Sequence, residues 1–307
     1  MSAAPRQPGR HLLITLCDVV NRFRTSCLLK VDVETGHVSW VDVGFTERVV
    51  ASGKGLAMTA NHVFHVCLVK TPDAPVQTVL VVLDREDLRV LHHQELAEVR
   101  DGHSIVVDGN QLYIASTGTD QVIAYTLDGL QATDPKVVWS PTDSGEDTQH
   151  VNSLTMHEGA LLASAIGPHV GGSWLASQQG YLYDLTAGVK LADGLSQPHS
   201  ATSHDGRLWF CNSQLGTLDV VGDGPVMQFA GYARGVAHAP DGTTYVGTSV
   251  GRRPRNDPLR GQDVFHNPWT GGEPVGRCAV VAFAPGGPRL EIGLTTLGSE
   301  IYDLKLW

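Results

Sequence analysis

The chain has 307 residues, of which 42% are hydrophobic and 18% charged, so it can bury a large core and is not a disordered polypeptide. Its formal net charge of −10 argues against nucleic acid or an anionic membrane surface as the main partner. The polar start MSAAPRQPGR has no apolar signal-peptide core, and no stretch approaches the roughly 20 apolar residues of a membrane helix. We therefore expect a cytoplasmic protein whose residues 1–10 form a disordered tail.

Strand signals dominate from one end of the chain to the other. Short β-branched or aromatic runs, bounded by Gly, Asp, Asn or Pro, occur in the order HLLITLCDVV, TSCLLKVDV, HVSWVDV, VQTVLVVLD, QVIAYTL, YLYDLTA, TLDVVG and CAVVAFAP. The best helix candidate, LDREDLRVLHHQELAEVR, can also be interpreted as two strands around a charged turn. We favour strands, because the same place in the next unit of the chain holds a strand pair.

These strands belong to a repeated unit of about 50 residues. QPHSATSHDGRLWF (197–210) and DGHSIVVDGNQLYI (101–114) share a polar entry, a short apolar run, a Gly turn and a strand that ends near an aromatic residue. Looser copies are present elsewhere in the chain. Aligned on the turn, one polar position recurs in successive units and is held by Lys54, His103, Asn152, His199 and Arg234.

The repeat predicts an all-β fold, a six-bladed β-propeller with four antiparallel strands in each blade. A lone four-stranded unit would expose both sheet faces, whereas radial stacking buries them. Five units begin at the recurring polar position, and the sixth is split between the chain ends, with SEIYDLKLW (299–307) as its inner strand. We expect one domain over residues 11–307, in which the Pro/Gly-rich loop 251–276 covers one face.

Five segments of the chain form a further pattern, in the order NSLTMHEGALLASAIG, GGSW (171–174), GLSQPHSATSHDGRLWFCNSQLGTL, YARGVAHA and SEIYDLKLW. Together they resemble a bacterial family described as DUF4915, which is also found under a conserved-hypothetical TIGR-type heading. The family pattern runs NGLA, GGWR, GLSMPHSPRWHDGRLWLLDSGTG, TRGLA, EIFDV, and the resemblance covers about the last two-thirds of the chain. It implies a propeller and leaves the chemistry open.

Three histidines are the candidate metal ligands. His103, His150 and His199 are expected where the inner strands of three successive blades begin, near one mouth of the central channel. Three imidazoles that converge there could hold Zn²⁺, Fe²⁺, Cu or Mn²⁺ with an open coordination position. This arrangement is analogous to propeller enzymes that hold an axial metal on histidines, such as the peptidyl-hydroxyglycine amidating lyases and the carotenoid oxygenases. The alternatives are histidines that line a wet channel without metal, or that have structural roles.

Charged and aromatic side chains would complete this site. Lys54 and Arg234 could orient an anionic group, or could pair with Glu47, Asp101 or Glu300 and keep the channel neutral. Glu300 or Asp303 could act as a base or a fourth ligand. Tyr302 and Tyr232 are candidate proton donors or, alternatively, aromatics packed between blades. Asn152 and the loop residues Trp174, Phe265, His266 and Trp269 are candidate substrate contacts, although loop aromatics also serve as loop anchors.

The sequence thus predicts a metal-dependent lyase, hydrolase or isomerase that acts on a small polar or anionic metabolite. An oxygenase or oxidase at the same site is one alternative, and a non-catalytic propeller that binds a ligand or protein is another. No dinucleotide-binding, P-loop or nucleophile-elbow motif occurs in a fitting context. The five scattered cysteines lack a CxxC pair and mostly lie in apolar runs, which favours buried free thiols over disulfides.

Overall fold

The fold is a ring of six sheets, and the inner strand of each contacts the inner strand of the next. The computed structural model describes residues 10–19, 26–45, 48–71, 74–169, 174, 177–249, 276–284 and 287–307. Each sheet has four antiparallel strands, so the predicted six-bladed propeller is confirmed. Residues 1–9, which belong to the predicted disordered tail, lie outside the described residues. So do residues 251–275, which make up nearly all of the loop predicted to cover one face.

The first three blades, each given from its inner to its outer strand, are as follows. Blade 1 is β24 (Gly298–Leu306), β1 (His11–Val19), β2 (Leu28–Asp32) and β3 (Val38–Trp40); blade 2 is β4 (Val49–Met58), β5 (His62–Lys70), β6 (Gln77–Asp84) and β7 (Val90–Glu95); blade 3 is β8 (Gly102–Asp108), β9 (Gln111–Ser116), β10 (Gln121–Asp128) and β11 (Gln131–Trp139). The segment LDREDLRVLHHQELAEVR, for which the sequence allows either a helix or two strands, contains the end of β6, a turn and β7.

The other three blades follow in the same order along the chain. Blade 4 is β12 (Val151–His157), β13 (Ala160–Ala165), β14 (Gly180–Asp184) and β15 (Val189–Leu195); blade 5 is β16 (Pro198–His204), β17 (Arg207–Asn212), β18 (Thr217–Val220) and β19 (Gly224–Gln228); blade 6 is β20 (Tyr232–His238), β21 (Thr244–Ser249), β22 (Ala279–Phe283) and β23 (Leu290–Gly293). Among the described residues, short 3₁₀ turns at Thr117–Thr119 and Ser213–Leu215 follow β9 and β17. In the described part of the chain no helix has the length and hydropathy to cross a membrane.

Burial on both faces explains why the central strands are almost continuously apolar. In β6, the alternate residues Val79, Val81 and Leu83 pack into the core shared with blade 1. Leu80 and Val82 point the other way, into the core shared with blade 3. Successive side chains of a strand face opposite sides of the sheet, so a blade between two neighbours needs apolar residues at every position. All five cysteines are buried free thiols, as predicted.

The two ends of the chain close the ring inside blade 1. Strand β24 pairs with β1 from Leu12 opposite Leu306 to Val19 opposite Gly298. The last residue also takes part, since the Trp307 amide donates to the His11 carbonyl at 2.9 Å. The predicted split blade is therefore confirmed, and ring closure depends on contacts between residues nearly 300 positions apart.

Side chains and close backbone approaches join one inner strand to the next. Ser104 Oγ accepts from the Leu154 amide at 3.1 Å, and Ser200 Oγ accepts from the Gly235 amide at 2.7 Å. Blades 2 and 3 meet at Gly55, where a Cβ atom would lie 2.8 Å from the His103 carbonyl oxygen. The inner strands are thus packed backbone to backbone beside the recurring polar position.

Replacing Gly55 by Ala should therefore destabilise the protein. Overpacking of a tight contact typically costs about 1–3 kcal/mol, and here the clash is with backbone atoms of β8. The free energy of unfolding in urea measures the effect. Gly293→Ala is the matched control, because no atom lies within 4 Å of the added Cβ. Equal stability of the two variants would contradict the close approach.

Candidate active site at the channel mouth

Every inner strand has a break in register at the recurring polar position. These breaks fall between Gly53 and Leu56, Gly102 and Ile105, Val151 and Ser153, His199 and Thr202, and Arg234 and Val236, and opposite Tyr302 in blade 1. A bulge redirects the side chains beside it and often lies next to a functional site. Six bulges at one depth of the channel turn polar side chains toward a common centre.

Left-handed backbone precedes three of these bulges. Asp101, His150 and Gln197 have φ values of 48°, 56° and 56°, in a region that non-glycine residues seldom adopt. Each of these residues lies two positions before the polar position of its blade. His150 is therefore equivalent to Asp101 and Gln197. The residue equivalent to His103 and His199 is Asn152. The equivalence of Asn152 with His103 and His199 agrees with the repeat in the sequence, whereas His150, expected at the start of its inner strand, lies one residue before β12. Such strain tends to cluster at functional sites.

The two equivalent histidines are held in the same tautomer. His103 Nδ1 lies 2.8 Å from the Asp101 carbonyl oxygen, and His199 Nδ1 lies 2.9 Å from the Gln197 carbonyl oxygen. A carbonyl can only accept, so the proton of each neutral ring is on Nδ1. The Nε2 atom of each ring is consequently a lone-pair acceptor.

A buried cation donates to each Nε2 atom. Lys54 Nζ lies 3.3 Å from His103 Nε2, and Arg234 Nη2 lies 3.3 Å from His199 Nε2. All four side chains are buried. The mouth therefore carries two similar cation–imidazole pairs, one formed by blades 2 and 3 and the other by blades 5 and 6.

Burial and these cations keep both imidazoles neutral. Desolvation is the largest cause that lowers the pKa of His103 and of His199 well below the usual range, and the charge of the adjacent Lys54 or Arg234 lowers each further. The cations are themselves balanced, since Lys54 Nζ lies 3.4 Å from Asp101 Oδ1 and Arg234 forms an ion pair with Glu300. The neutralising pairs that were one sequence-based alternative are thus formed.

Tyr302 crosses the channel below this ring. Its hydroxyl, from blade 1, donates to the Asn152 carbonyl of blade 4 on the opposite side at 2.8 Å. Lys54 Nζ and the Arg234 guanidinium carbon lie 5.3 and 5.7 Å from the phenol centroid, and burial raises the pKa of the phenol well above its usual range. Tyr302 is therefore the floor of the mouth and a poor proton donor there.

His150 and Trp174 form part of the rim. The His150 ring lies 5.2 Å from that of His103 and 4.9 Å from that of Trp174, and its Nδ1 lies 3.0 Å from Asp147 Oδ2. Gln197 Nε2 donates to the Trp174 carbonyl at 2.7 Å. Trp174, a candidate substrate contact, thus lies beside His150, whereas Phe265, His266 and Trp269 lie outside the described residues.

Asn152 supplies an unsatisfied donor. It is completely buried, and its Oδ1 accepts from Ser153 Oγ at 3.2 Å and from Ser164 Oγ at 2.5 Å. Within the described residues its Nδ2 has no hydrogen-bond partner. A buried polar group without a partner typically costs about 1–3 kcal/mol, so a ligand that accepts from Nδ2 would recover this energy.

Asp303 and Tyr232 make contacts between neighbouring blades. Asp303 Oδ2 accepts from the Leu56 amide at 3.0 Å and ties blade 1 to blade 2, and no hydrogen bond or ion pair among the described residues joins it to the three histidines. It also lines a cavity together with His199, Tyr302 and Lys305. The Tyr232 hydroxyl donates to Gln197 Oε1 at 2.6 Å, behind the Arg234 guanidinium.

The three histidines share one mouth but do not form a ligand set. Among the residues that the structure describes, no group of three or more His, Cys, Asp or Glu side chains is placed to hold a metal ion. The Nε2 atoms of His103 and His199 each face a cation, and a metal bound there would be repelled by it unless the cation moved. The predicted metal site therefore stays a prediction.

The fold and this mouth define a six-bladed propeller with a polar, buried site at one end of its channel. A family model described as a domain of unknown function (DUF4915) matches residues 84–306, and the chain belongs to this family. No curated protein matches the chain.

Solved structures share the architecture at low sequence identity. A protein of unknown function from Bacteroides caccae aligns with a TM-score of 0.58 at 10% identity, over 98% of this chain and 99% of that one. A candidate 6-phosphogluconolactonase from Bacteroides fragilis aligns with a TM-score of 0.57 at 15% identity, over 99% and 100%. A chain of the nidogen/laminin complex aligns with a TM-score of 0.58 at 10% identity, over 96% and 97%. These identities support the fold alone.

The pKa of His103 should rise when its neighbouring cation is removed. In wild type the ring should stay neutral well below pH 6.5, and Lys54→Met should raise its pKa because the charge that lowers it is gone. Histidine Cε1–H shifts in an NMR pH titration measure both values. Lys305→Met, which removes a lysine elsewhere in the channel, is the control. A wild-type His103 that titrates near 6.5, or an equal shift in both variants, would contradict the assignment.

Stability should fall in acid for the same reason. The histidines of the unfolded chain protonate near pH 6.5, while burial lowers the pKa of His103, His199 and His65, the last to about 4. Between these values the unfolded state binds more protons, so the free energy of unfolding decreases as the pH falls from about 6.5 toward 4. Urea unfolding at several pH values measures the slope, which should be reduced in His65→Asn. An unchanged slope in that variant would contradict the contribution of His65.

Proposed function

We propose that this protein is an enzyme that performs acid–base chemistry on a small polar metabolite with an anionic group, bound at the channel mouth. The observation that carries the proposal is the duplicated pair of a buried cation and an imidazole with an accepting Nε2. Enzymes place bases of this kind where water is excluded and the tautomer is fixed by a second hydrogen bond. Docking a protein partner would not need such buried, strained and titratable groups.

In this proposal Lys54 and Arg234 hold the anionic group, and His103 or His199 takes a proton from the substrate. An anion that draws a cation away from Nε2 frees the lone pair and also offsets the charge that lowers the pKa of the ring. Binding would therefore raise the pKa of the base toward the working pH, where proton transfer is most effective. Asn152 Nδ2 would donate to a substrate oxygen, and Asp101 and Glu300 would hold the cations in place.

The fold neighbours are compatible with an enzyme and do not decide the question. Two of them are described as a candidate 6-phosphogluconolactonase and, at a TM-score of 0.52 and 14% identity over 81% of this chain and 95% of that one, a candidate oxidoreductase (glucose dehydrogenase) of Thermus thermophilus. Their descriptions name enzymes of small polar metabolites. The nidogen/laminin complex shows that the same architecture also serves binding between proteins. The buried cation–imidazole pairs at the channel mouth favour an enzyme over a protein-binding module.

A metal-dependent enzyme at the same mouth is the second candidate. It is favoured by the approach of the His103 and His150 rings to 5.2 Å, with His199 at the same end of the channel. Zn²⁺, Fe²⁺, Cu or Mn²⁺ bound there would supply Lewis-acid or oxygen chemistry. Lys54 and Arg234 would then have to turn away from Nε2 to contact the substrate.

Anion recognition can be measured with malonate against its neutral analogue malonamide. Calorimetry should show malonate binding at least tenfold tighter, and Lys54→Met or the charge-balanced double variant Arg234→Gln/Glu300→Gln should reduce that preference at least tenfold. Lys136→Met, which removes an exposed lysine of the outer strand β11, is the control and should bind as wild type. Equal binding of both probes, or equal loss in the control, would contradict the proposal.

The acid–base role proposed for the histidines predicts proton uptake when an anion binds. At pH 6.5 malonate binding should be coupled to proton uptake, because the pKa of an imidazole rises when its cation is engaged; titrations in two buffers of different ionisation enthalpy measure it. His103→Asn with His199→Asn should bind malonate without uptake. Binding by wild type without proton uptake would contradict a role for the histidines.

Metal analysis of untagged protein distinguishes the metal-dependent enzyme from the first proposal. One equivalent of a transition metal, lost in folded His103→Ala and His199→Ala variants, would favour the metal-dependent enzyme. Metal-free protein that retains malonate binding would support the first proposal.

A further inference from the structure

We propose that Cys17 is a reactive thiol of this site and is alkylated preferentially by carbon electrophiles carried on small carboxylates. The preference for a carboxylate rests on the anion recognition proposed above, whereas the reactivity of the thiol does not. Cys17 lies in β1, the second strand of blade 1, outside the recurring polar position and the family motifs. Its place beside the channel mouth follows from the register of that strand.

The strand pairing brings Cys17 next to the ring of polar residues. In the β1–β24 ladder, Leu16 pairs with Ile301 and Asp18 pairs with Glu300, with register breaks on either side of these pairs. Cys17 therefore lies beside the bulge that turns Tyr302 into the channel. Such an irregularity redirects the side chains beside it, which allows one from the second strand to approach the ring.

Arg234 links the thiol to the rest of the site. Its Nη1 lies 3.9 Å from Cys17 Sγ, the same guanidinium pairs with Glu300, and Nη2 lies 3.3 Å from His199 Nε2. A cation beside sulfur favours the thiolate, which is the nucleophilic form of cysteine. A carboxylate that binds Arg234 would place an electrophilic carbon next to Sγ.

Asn152 provides a second, independent indication of a ligand at this mouth. Its Nδ2 is buried and has no hydrogen-bond partner in the described part of the chain. Its backbone carbonyl accepts from the Tyr302 hydroxyl, and the Arg234 guanidinium that contacts Cys17 lies 5.7 Å from the centroid of the same phenol ring. A small ligand with several oxygens, lying over Tyr302, would reach both the unsatisfied amide and Arg234.

The other four cysteines provide an internal contrast. Cys17 is 6% exposed, whereas Cys27, Cys67, Cys211 and Cys278 are completely buried. Burial raises the pKa of the Cys67 and Cys211 thiols strongly and that of Cys278 to about 12, so these remain protonated at neutral pH. Selective reaction of one thiol in the folded protein is therefore expected.

Iodoacetate and iodoacetamide are the probes, since they deliver the same carbon with and without a negative charge. The thiolate attacks the methylene carbon, the S–C bond forms as the C–I bond breaks, and iodide leaves; the thiol proton has gone to solvent. Peptide mass spectrometry of folded protein at pH 7.5 should show a single label, on Cys17. Relative to free cysteine in the same buffer, iodoacetate should be favoured over iodoacetamide at least tenfold, and malonate should slow its reaction.

Two variants and an unfolded control make the outcomes distinct. Arg234→Gln/Glu300→Gln should remove the preference for iodoacetate, and Cys17→Ser, shown to be folded by circular dichroism, should remove labelling. Folded wild type that is not labelled at Cys17, while urea-unfolded protein is labelled at all five cysteines, would overturn the proposal. Labelling of Cys17 without preference for iodoacetate would support the reactive thiol and overturn the carboxylate preference, whereas the anion recognition itself fails only if malonate and malonamide also bind equally.

Discussion

The hydrogen bond from each histidine Nδ1 to the carbonyl two residues earlier is the interaction on which the channel mouth depends. It fixes the tautomer of His103 and His199, and it leaves each Nε2 as an acceptor that a cation can approach. The carbonyls are in position because Asp101 and Gln197 have left-handed backbone, and the rings point to the channel because the strands bulge at this point. The irregular backbone of these strands therefore determines that Nδ1, and not Nε2, carries the proton of each ring.

The same irregularities connect the site to the stability of the fold. The inner strands approach so closely at Gly55 that a methyl group would meet the backbone of the next blade. At the chain ends, β24 contributes both the ring-closing ladder with β1 and Tyr302, which spans the channel to Asn152. Loss of this strand would remove the closure of the ring and the floor of the site together. The buried charges are tolerated because each cation has a carboxylate and an imidazole beside it.

The repeat in the sequence was sufficient to predict the propeller, the ring closure and the register of the polar position. Those features depend on periodic apolar runs and turn residues, which the chain displays directly. The details of the site depend on bulges, and a bulge shifts a strand by one residue without a marked change in residue pattern. For this reason the repeat alone does not show that His150 precedes its strand with the left-handed backbone that Asp101 and Gln197 also have. For the same reason Asp303 was expected at the ring, and Cys17 was considered only as a buried thiol.

The central claim is that the mouth of the channel is a built site for an anionic ligand between two cation–imidazole pairs. Anomalous difference density from a crystal soaked in selenate tests it directly, because the selenium position is located without assumptions about the ligand. The account predicts a selenium peak above Tyr302, within hydrogen-bonding distance of Lys54 or Arg234, and lost in the Arg234→Gln/Glu300→Gln variant. Selenium peaks only at the outer surface of the protein, with none at the channel mouth, would contradict it.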